Sequence, residues 1–165
     1  MSKRIIVFRH GKSDWADLAS DHDRPLNKRG QRDAKAMGRA LAAAGQVPEY
    51  VLCSSARRAS TTLELAAQAG QWSCPQHISD ELYETRPQAV LALLREMPQQ
   101  YDSVMLVGHE PTWSQLTSQL IGGGNIALKT ATMACVEVAA QDWSQVEAGT
   151  GQLLWLLQPK LLPSP

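Results

Sequence analysis

The chain has 165 residues, of which 44% are hydrophobic and 19% charged, enough for one domain with its own core. Lysine plus arginine equals aspartate plus glutamate at 16 each, so no overall field favours nucleic acid and any anion site has to be local. The apolar run after Lys3 and Arg4 is only four residues long, too short for a signal-peptide core, and no run approaches a membrane span. Cys53, Cys74 and Cys135 are odd in number, far apart and without a C-x-x-C pair. That pattern fits reduced thiols in a cytoplasmic protein, two of them on strands. His10, His22, His77 and His109 lack metal-ligand spacing, so no metal and no other cofactor is expected. The Trp residues are scattered and form no stacking ladder.

The first element is a buried strand, Ile5-Ile6-Val7-Phe8, rich in β-branched residues. It breaks at Arg9-His10-Gly11, which puts a guanidinium and an imidazole at a strand's carboxyl end, where open α/β sheets bind ligands. Gly11-Lys12-Ser13 imitates the tail of a nucleotide-binding phosphate loop. That loop needs a glycine five residues earlier, where this chain has Ile6. The polar segment Asp14–Arg24, with Trp15 and Leu18 as its larger apolar residues, is expected to fold over the site.

Asn27 is a plausible cap for a first helix whose buried face carries Gly30, Ala34, Met37, Gly38 and Leu41. Gly45 and Pro48 end it. Tyr50-Val51-Leu52-Cys53 reads as the second strand, followed by Ser54-Ser55 and a helix from Arg57 to Ala69. Arg58, Thr62, Leu65, Ala66 and Ala69 share one face of that helix, so Arg58 rather than Arg57 points inward. A buried arginine needs an anionic partner. No carboxylate falls on the inward side of a strand, so an anionic ligand at the helix N-terminus is the better candidate.

Residues 70–75 form a turn, and His77-Ile78-Ser79 a short edge strand. Asp80 to Glu84 form a loop, and Pro87 opens a helix with Val90, Leu94 and Met97 inward, closed by Pro98. Val104-Met105-Leu106-Val107 is another buried strand, and it too ends in glycine and histidine, Gly108-His109-Glu110. Pro111 opens a helix with Trp113, Leu116, Thr117 and Leu120 on one face, ended by Gly122-Gly123-Gly124. Residues 132–138 and 153–157 read as two more strands, an antiparallel pair. The expected organisation is a single domain over 1–158 with a loosely held tail at 159–165. Alternating strands and helices predict an α/β fold, a three-layer α/β/α sandwich around a mostly parallel sheet.

Two imidazoles and two guanidiniums converging at strand ends would make a cationic pocket for a tetrahedral dianion. A neutral imidazole there could attack phosphorus while the cations stabilise the equatorial oxygens.

Arg9-His10-Gly11, the run Ser54-Ser55-Ala56-Arg57-Arg58-Ala59-Ser60-Thr61-Thr62, and Gly108-His109 resemble the histidine phosphatase superfamily, the phosphoglycerate mutase-like group. Residues 9–15 and 23–30 resemble in particular its small SixA-type phosphohistidine phosphatases. The resemblance covers nearly the whole chain in order. It implies that His10 is the nucleophile and forms a transient phosphohistidine. Arg9 and Arg58 would hold the phosphoryl oxygens, and His109 would donate to them across the pocket. Ser55 departs from the proline usual in relatives. For the acid, the superfamily's Leu-x-Glu pattern falls on Leu82-Tyr83-Glu84; Glu81 is the runner-up and Glu110 a third possibility. A phosphohistidine substrate can leave as neutral imidazole, which weakens the need for an acid.

The expected activity is removal of phosphate from phosphohistidine on a partner protein, because few residues remain for a lid. The alternative is a phosphomonoesterase for a small metabolite, with Lys12, Lys28, Arg29 and Arg57 contacting a second anionic group. A mutase, which needs a more enclosed site, a non-catalytic phosphate-binding module and nucleic-acid binding rank lower.

Overall fold

The computed structural model describes residues 1–15 and 20–164. Leu18, expected on the loop over the site, lies outside them. The sheet has six strands: β1 (Lys3–Arg9), β2 (Tyr50–Ser54), β3 (Gln76–Ser79), β4 (Ser103–Gly108), β5 (Met133–Val138) and β6 (Gly151–Leu157), in the order β3-β2-β4-β1-β5-β6. β1, β2, β3 and β4 are parallel; β5 runs antiparallel to β1, and β6 antiparallel to β5. Four helices complete the fold: α1 (Lys28–Ala43), α2 (Arg57–Gly70), α3 (Pro87–Arg95) and α4 (Thr112–Leu120).

The three expected layers are present because the central strands are apolar on both faces. Ile6 and Phe8 of β1 join Met105 and Val107 of β4 under Met37, Leu41, Leu63 and Ala66 of α1 and α2. Ile5 and Val7 turn the other way and join Val104, Leu106, Leu94, Trp113 and Trp143 beneath α3 and α4. The chain leaves β1 through α1 towards β2, and leaves β4 through α4 towards β5, in the opposite direction and on the other face. The strand order therefore reverses between β1 and β4, and a crevice opens at their carboxyl ends.

Local differences from the expected elements have simple causes. The buried stripe of α2 is Arg58, Ala59, Thr62, Leu63, Ala66 and Ala67, so Leu65 and Ala69, expected inward, are only half-buried. The helix is rolled towards α1, with the small Gly38 against Ala66. α2 also runs through Gly70 and ends on Gln71, which has φ of 56°. Trp72 then folds back and donates its indole N–H to the Gly38 carbonyl at 3.2 Å. Asp80–Leu82 is a 3-10 turn capped by Ser79. Pro159–Leu161 forms another, and Leu162 packs against the core on the α1 side.

Candidate active site

The turn after β1 is held on three sides. The His10 backbone N–H donates to Gly108 O of β4 at 3.0 Å, and its carbonyl accepts from Ala131 N at 3.0 Å. The Gly11 N–H donates to Thr62 Oγ1 of α2 at 3.0 Å, and that hydroxyl donates to the Arg58 carbonyl at 2.7 Å. Gly11 is required for the third contact, since a Cβ there would lie 2.8 Å from the Gly30 carbonyl in the first turn of α1. Asn27 caps that helix as expected, accepting from Gly30 N at 2.8 Å.

His10 is buried, and its Nδ1 lies 2.7 Å from the Gly11 carbonyl. A carbonyl can only accept, so Nδ1 carries the proton and Nε2 keeps a free lone pair. Burial pushes the ring's pKa down to about 3, and the neighbouring His109, Arg58 and Arg9 disfavour protonation further, against the opposing Gly11 bond. His109 faces it with ring centroids 5.2 Å apart. Burial and then Arg58 push His109 down to about 4. The His109 Nε2 lies 2.7 Å from the hydroxyl of the fully buried Ser54. Ser54 Oγ also accepts from Ala56 N at 3.2 Å, which fixes the hydroxyl that His109 Nε2 meets.

Two neutral histidines, His10 buried and His109 half-buried, make stability depend on pH. Their folded pKa values, about 3 and about 4, lie below the unfolded value, so the unfolded chain binds more protons as the pH falls. Stability is complete above about pH 6.5 and drops between there and pH 4, by up to about 1.4 kcal/mol per pH unit for each ring. Urea denaturation of the wild type and of His10→Asn at pH 7 and pH 5 checks this: the variant should lose about 2 kcal/mol less than the wild type.

Three arginines surround the imidazoles. Arg9 donates Nη1 to Leu128 O at 2.8 Å; burial lowers its pKa, and Glu110 opposes that shift. Arg58, at the first turn of α2, donates Nη1 to the Asp21 carbonyl at 2.7 Å and Nη2 to the Asp21 carboxylate at 3.2 Å. Arg24 donates to Ser13 Oγ and to Asp21 Oδ1, the latter at 3.1 Å, and its guanidinium lies 3.5 Å from the centre of the Trp15 ring. Among the described residues, the buried side-chain polar atoms without a partner are Arg9 Nε, Arg24 Nε, Arg58 Nε, His109 Nδ1 and Thr132 Oγ1. All but the last are nitrogens of residues gathered around this pocket. Leaving such groups unsatisfied costs about 1–3 kcal/mol each, which acceptor oxygens of a bound anion would recover. Among the described residues, no group of His, Cys, Asp and Glu side chains is arranged to hold a metal ion.

Arg9, His10, Arg58 and His109 are thus brought together at the β1, β2 and β4 ends. Arg58 is inward as its periodicity predicts, but its partner differs from expectation: a carboxylate does reach it, from Asp21 in a loop and not from a strand. Asp21 Oδ2 also accepts from Tyr83 Oη at 2.7 Å, and this bond, with Arg24 and Arg58, brings the Asp21 pKa down to about 2. Lys12 is exposed. Glu81 and Glu84 are exposed too; Glu84 has φ of 52° and makes no hydrogen bond or ion pair among the described residues. Glu110 accepts from Ser114 N at 2.7 Å and from the Ser114 hydroxyl, so it serves the first turn of α4. Ser55, the departure from the family pattern, lies 2.9 Å from His22 Nε2. Asp21 carries no sequence signal beyond the polar character of its loop, whereas Arg24 lies in the 23–30 stretch and Tyr83 in the Leu82-Tyr83-Glu84 pattern without a role of their own.

A six-stranded α/β/α sandwich with a histidine-centred cationic pocket at its sheet's switch point defines the class. The sequence profile of the histidine phosphatase superfamily (branch 1) matches residues 5–102, and the chain belongs to that superfamily. An uncharacterised protein of Mycobacterium tuberculosis is 35% identical, over 93% of this chain and all of its own length. The structure of the protein histidine phosphatase SixA complexed with tungstate superposes with a TM-score of 0.81 at 27% identity, covering 95% of this chain and 97% of that one. The alpha-ribazole phosphatase of Shigella flexneri shares the fold, with a TM-score of 0.71 at 21% identity over 94% of this chain and 96% of its own. Superfamily membership and the SixA likeness support a phosphatase built on a histidine nucleophile.

Proposed function

We propose that the protein is a phosphohistidine phosphatase that acts on a phosphorylated partner protein through a covalent intermediate on His10. The observation that carries this reading is the His10 ring: buried, neutral, with Nδ1 committed to Gly11 and the Nε2 lone pair free. Nε2 attacks phosphorus and forms a P–N bond; the scissile P–N bond to the substrate imidazole breaks, and its electron pair returns to that ring, which leaves neutral with the proton it already carries on its far nitrogen. Water then attacks the phosphoryl group on His10, losing a proton, and the P–Nε2 pair returns to His10 as phosphate leaves. Arg9, Arg58 and His109 supply donors to the phosphoryl oxygens as charge moves through them.

A protein-borne imidazole leaves as a neutral ring once its far nitrogen is protonated, which suits a pocket whose nearby glutamates are exposed or engaged elsewhere. Glu84 is the proposed acid for ester substrates, whose alkoxide must be protonated as it departs. The exposed Lys12, Lys28, Arg29 and Arg57 favour a second reading, a small phosphate ester with a further anionic group, with Lys12 the first contact. Assaying a phosphohistidine-bearing carrier protein beside a panel of small esters separates the two. The phosphohistidine carrier should be turned over at least about tenfold more efficiently, a discrimination of about 1.4 kcal/mol. A wide preference for esters overturns the first reading in favour of the second.

A further inference from the structure

We propose that Asp21 is a specificity-determining residue: a fixed anion at the mouth of the phosphate pocket that selects leaving groups carrying an N–H or positive charge and rejects anionic ones. The inference rests on the reading of this pocket as a phosphoryl site and adds what chooses among its substrates.

Asp21 is placed by its neighbours rather than by its own loop alone. Its carbonyl accepts from Arg58 and its carboxylate accepts from Arg58, Arg24 and Tyr83, at 2.7 to 3.2 Å. Arg58 and Arg24 are buried, at 7% and 9% side-chain exposure, whereas the Asp21 side chain is 50% exposed. The carboxylate therefore lies between the cations and solvent. Its partners keep it ionised at every working pH.

This anion does not close the pocket to phosphate. Asp21 engages Arg58 through both terminal nitrogens, but Arg58 Nε, Arg24 Nε, Arg9 Nε and His109 Nδ1 remain without partners. A phosphoryl group bound through those atoms would leave Asp21 in its place. What projects outward is the leaving group, and it passes a rim made of Asp21, Tyr83 and His22. Tyr83 stands edge-on to His22 at 4.8 Å and to His109 at 5.9 Å. An imidazole has a flat apolar body for that aromatic rim and an N–H, or a full positive charge, for the carboxylate. A leaving group that carries its own carboxylate meets like charge at short range.

The test compares the wild type with Asp21→Asn, which keeps the side-chain volume and one acceptor oxygen but removes the charge. Two substrates are used, a phosphohistidine peptide and a carboxylate-bearing phosphate monoester. The ratio of their kcat/KM values should shift about tenfold towards the ester in Asp21→Asn, mostly through KM. In a His10→Asn background, where nothing turns over, calorimetry reads binding of the same ester against inorganic phosphate. Asp21→Asn should raise the ester's relative affinity by a similar factor. An equal change for both ligands in both assays would make Asp21 only a prop for Arg58 and overturn the proposal. The binding arm keeps the outcomes distinct: a shifted binding ratio in a protein that hydrolyses neither substrate would sink the phosphatase reading and leave the charge selection standing.

Discussion

His10→Asn is expected to lower kcat by about 10⁴-fold or more, the scale on which removal of a nucleophile acts in enzymes that work through a covalent intermediate. The ring is the group whose geometry prepares a lone pair: Nδ1 is tied to Gly11 O at 2.7 Å and Nε2 is left unprotonated. Asparagine retains a donor for that carbonyl but has no lone pair of comparable basicity. Because the imidazole is neutral when buried, its replacement leaves no unpaired charge, and the fold should survive at pH 7. Two measurements check the prediction. Turnover should vanish, and an acid-labile phosphoryl label, present on the wild type after brief exposure to substrate, should be missing from the variant. Activity within about tenfold of the wild type would end the covalent mechanism.

Gly38→Ala should strongly destabilise the fold. A Cβ at Gly38 would lie 2.0 Å from the Ala66 carbonyl oxygen and 2.5 Å from the Ala66 Cα and carbonyl carbon. These are backbone atoms of α2 and cannot swing aside, so the helices would have to separate. The contact is reciprocal, since a Cβ at Gly70 would meet the Gly38 carbonyl at 2.3 Å. The expected cost is about 3 kcal/mol or more, the upper end of overpacking effects. Gly45→Ala is the internal control: its φ is +67° but a Cβ there meets nothing within 4 Å, so only the left-handed conformation is penalised, by about 1 kcal/mol. Equal urea midpoints for the two variants would show that α1 and α2 have slack. The consequence reaches the site, because α2 carries Arg58 and α1 supports Gly11.

The layers and most of the pocket were legible before any coordinates. The unbroken apolar run Ile5-Ile6-Val7-Phe8 predicts a buried strand, and the core divides those residues between its two halves. The helical period through Arg58 and Thr62 turned that arginine inward. It was less exact further along, because the roll of a helix is set by what it packs against, and Gly38 allows α1 to approach on the Ala59–Leu63 side.

Local periodicity and residue type by themselves determined the parallel α/β pattern, the glycine-histidine turns after β1 and β4, and the inward face of Arg58. These depend on neighbours within a few residues, which the order of amino acids records directly. Only the tertiary structure decided that Asp21, 37 residues from Arg58 in the chain, is its partner, that Glu110 is engaged by Ser114 of α4, and that His10 is neutral with its proton on Nδ1. Those outcomes follow from burial and from which distant groups meet, since desolvation and hydrogen bonding act through space.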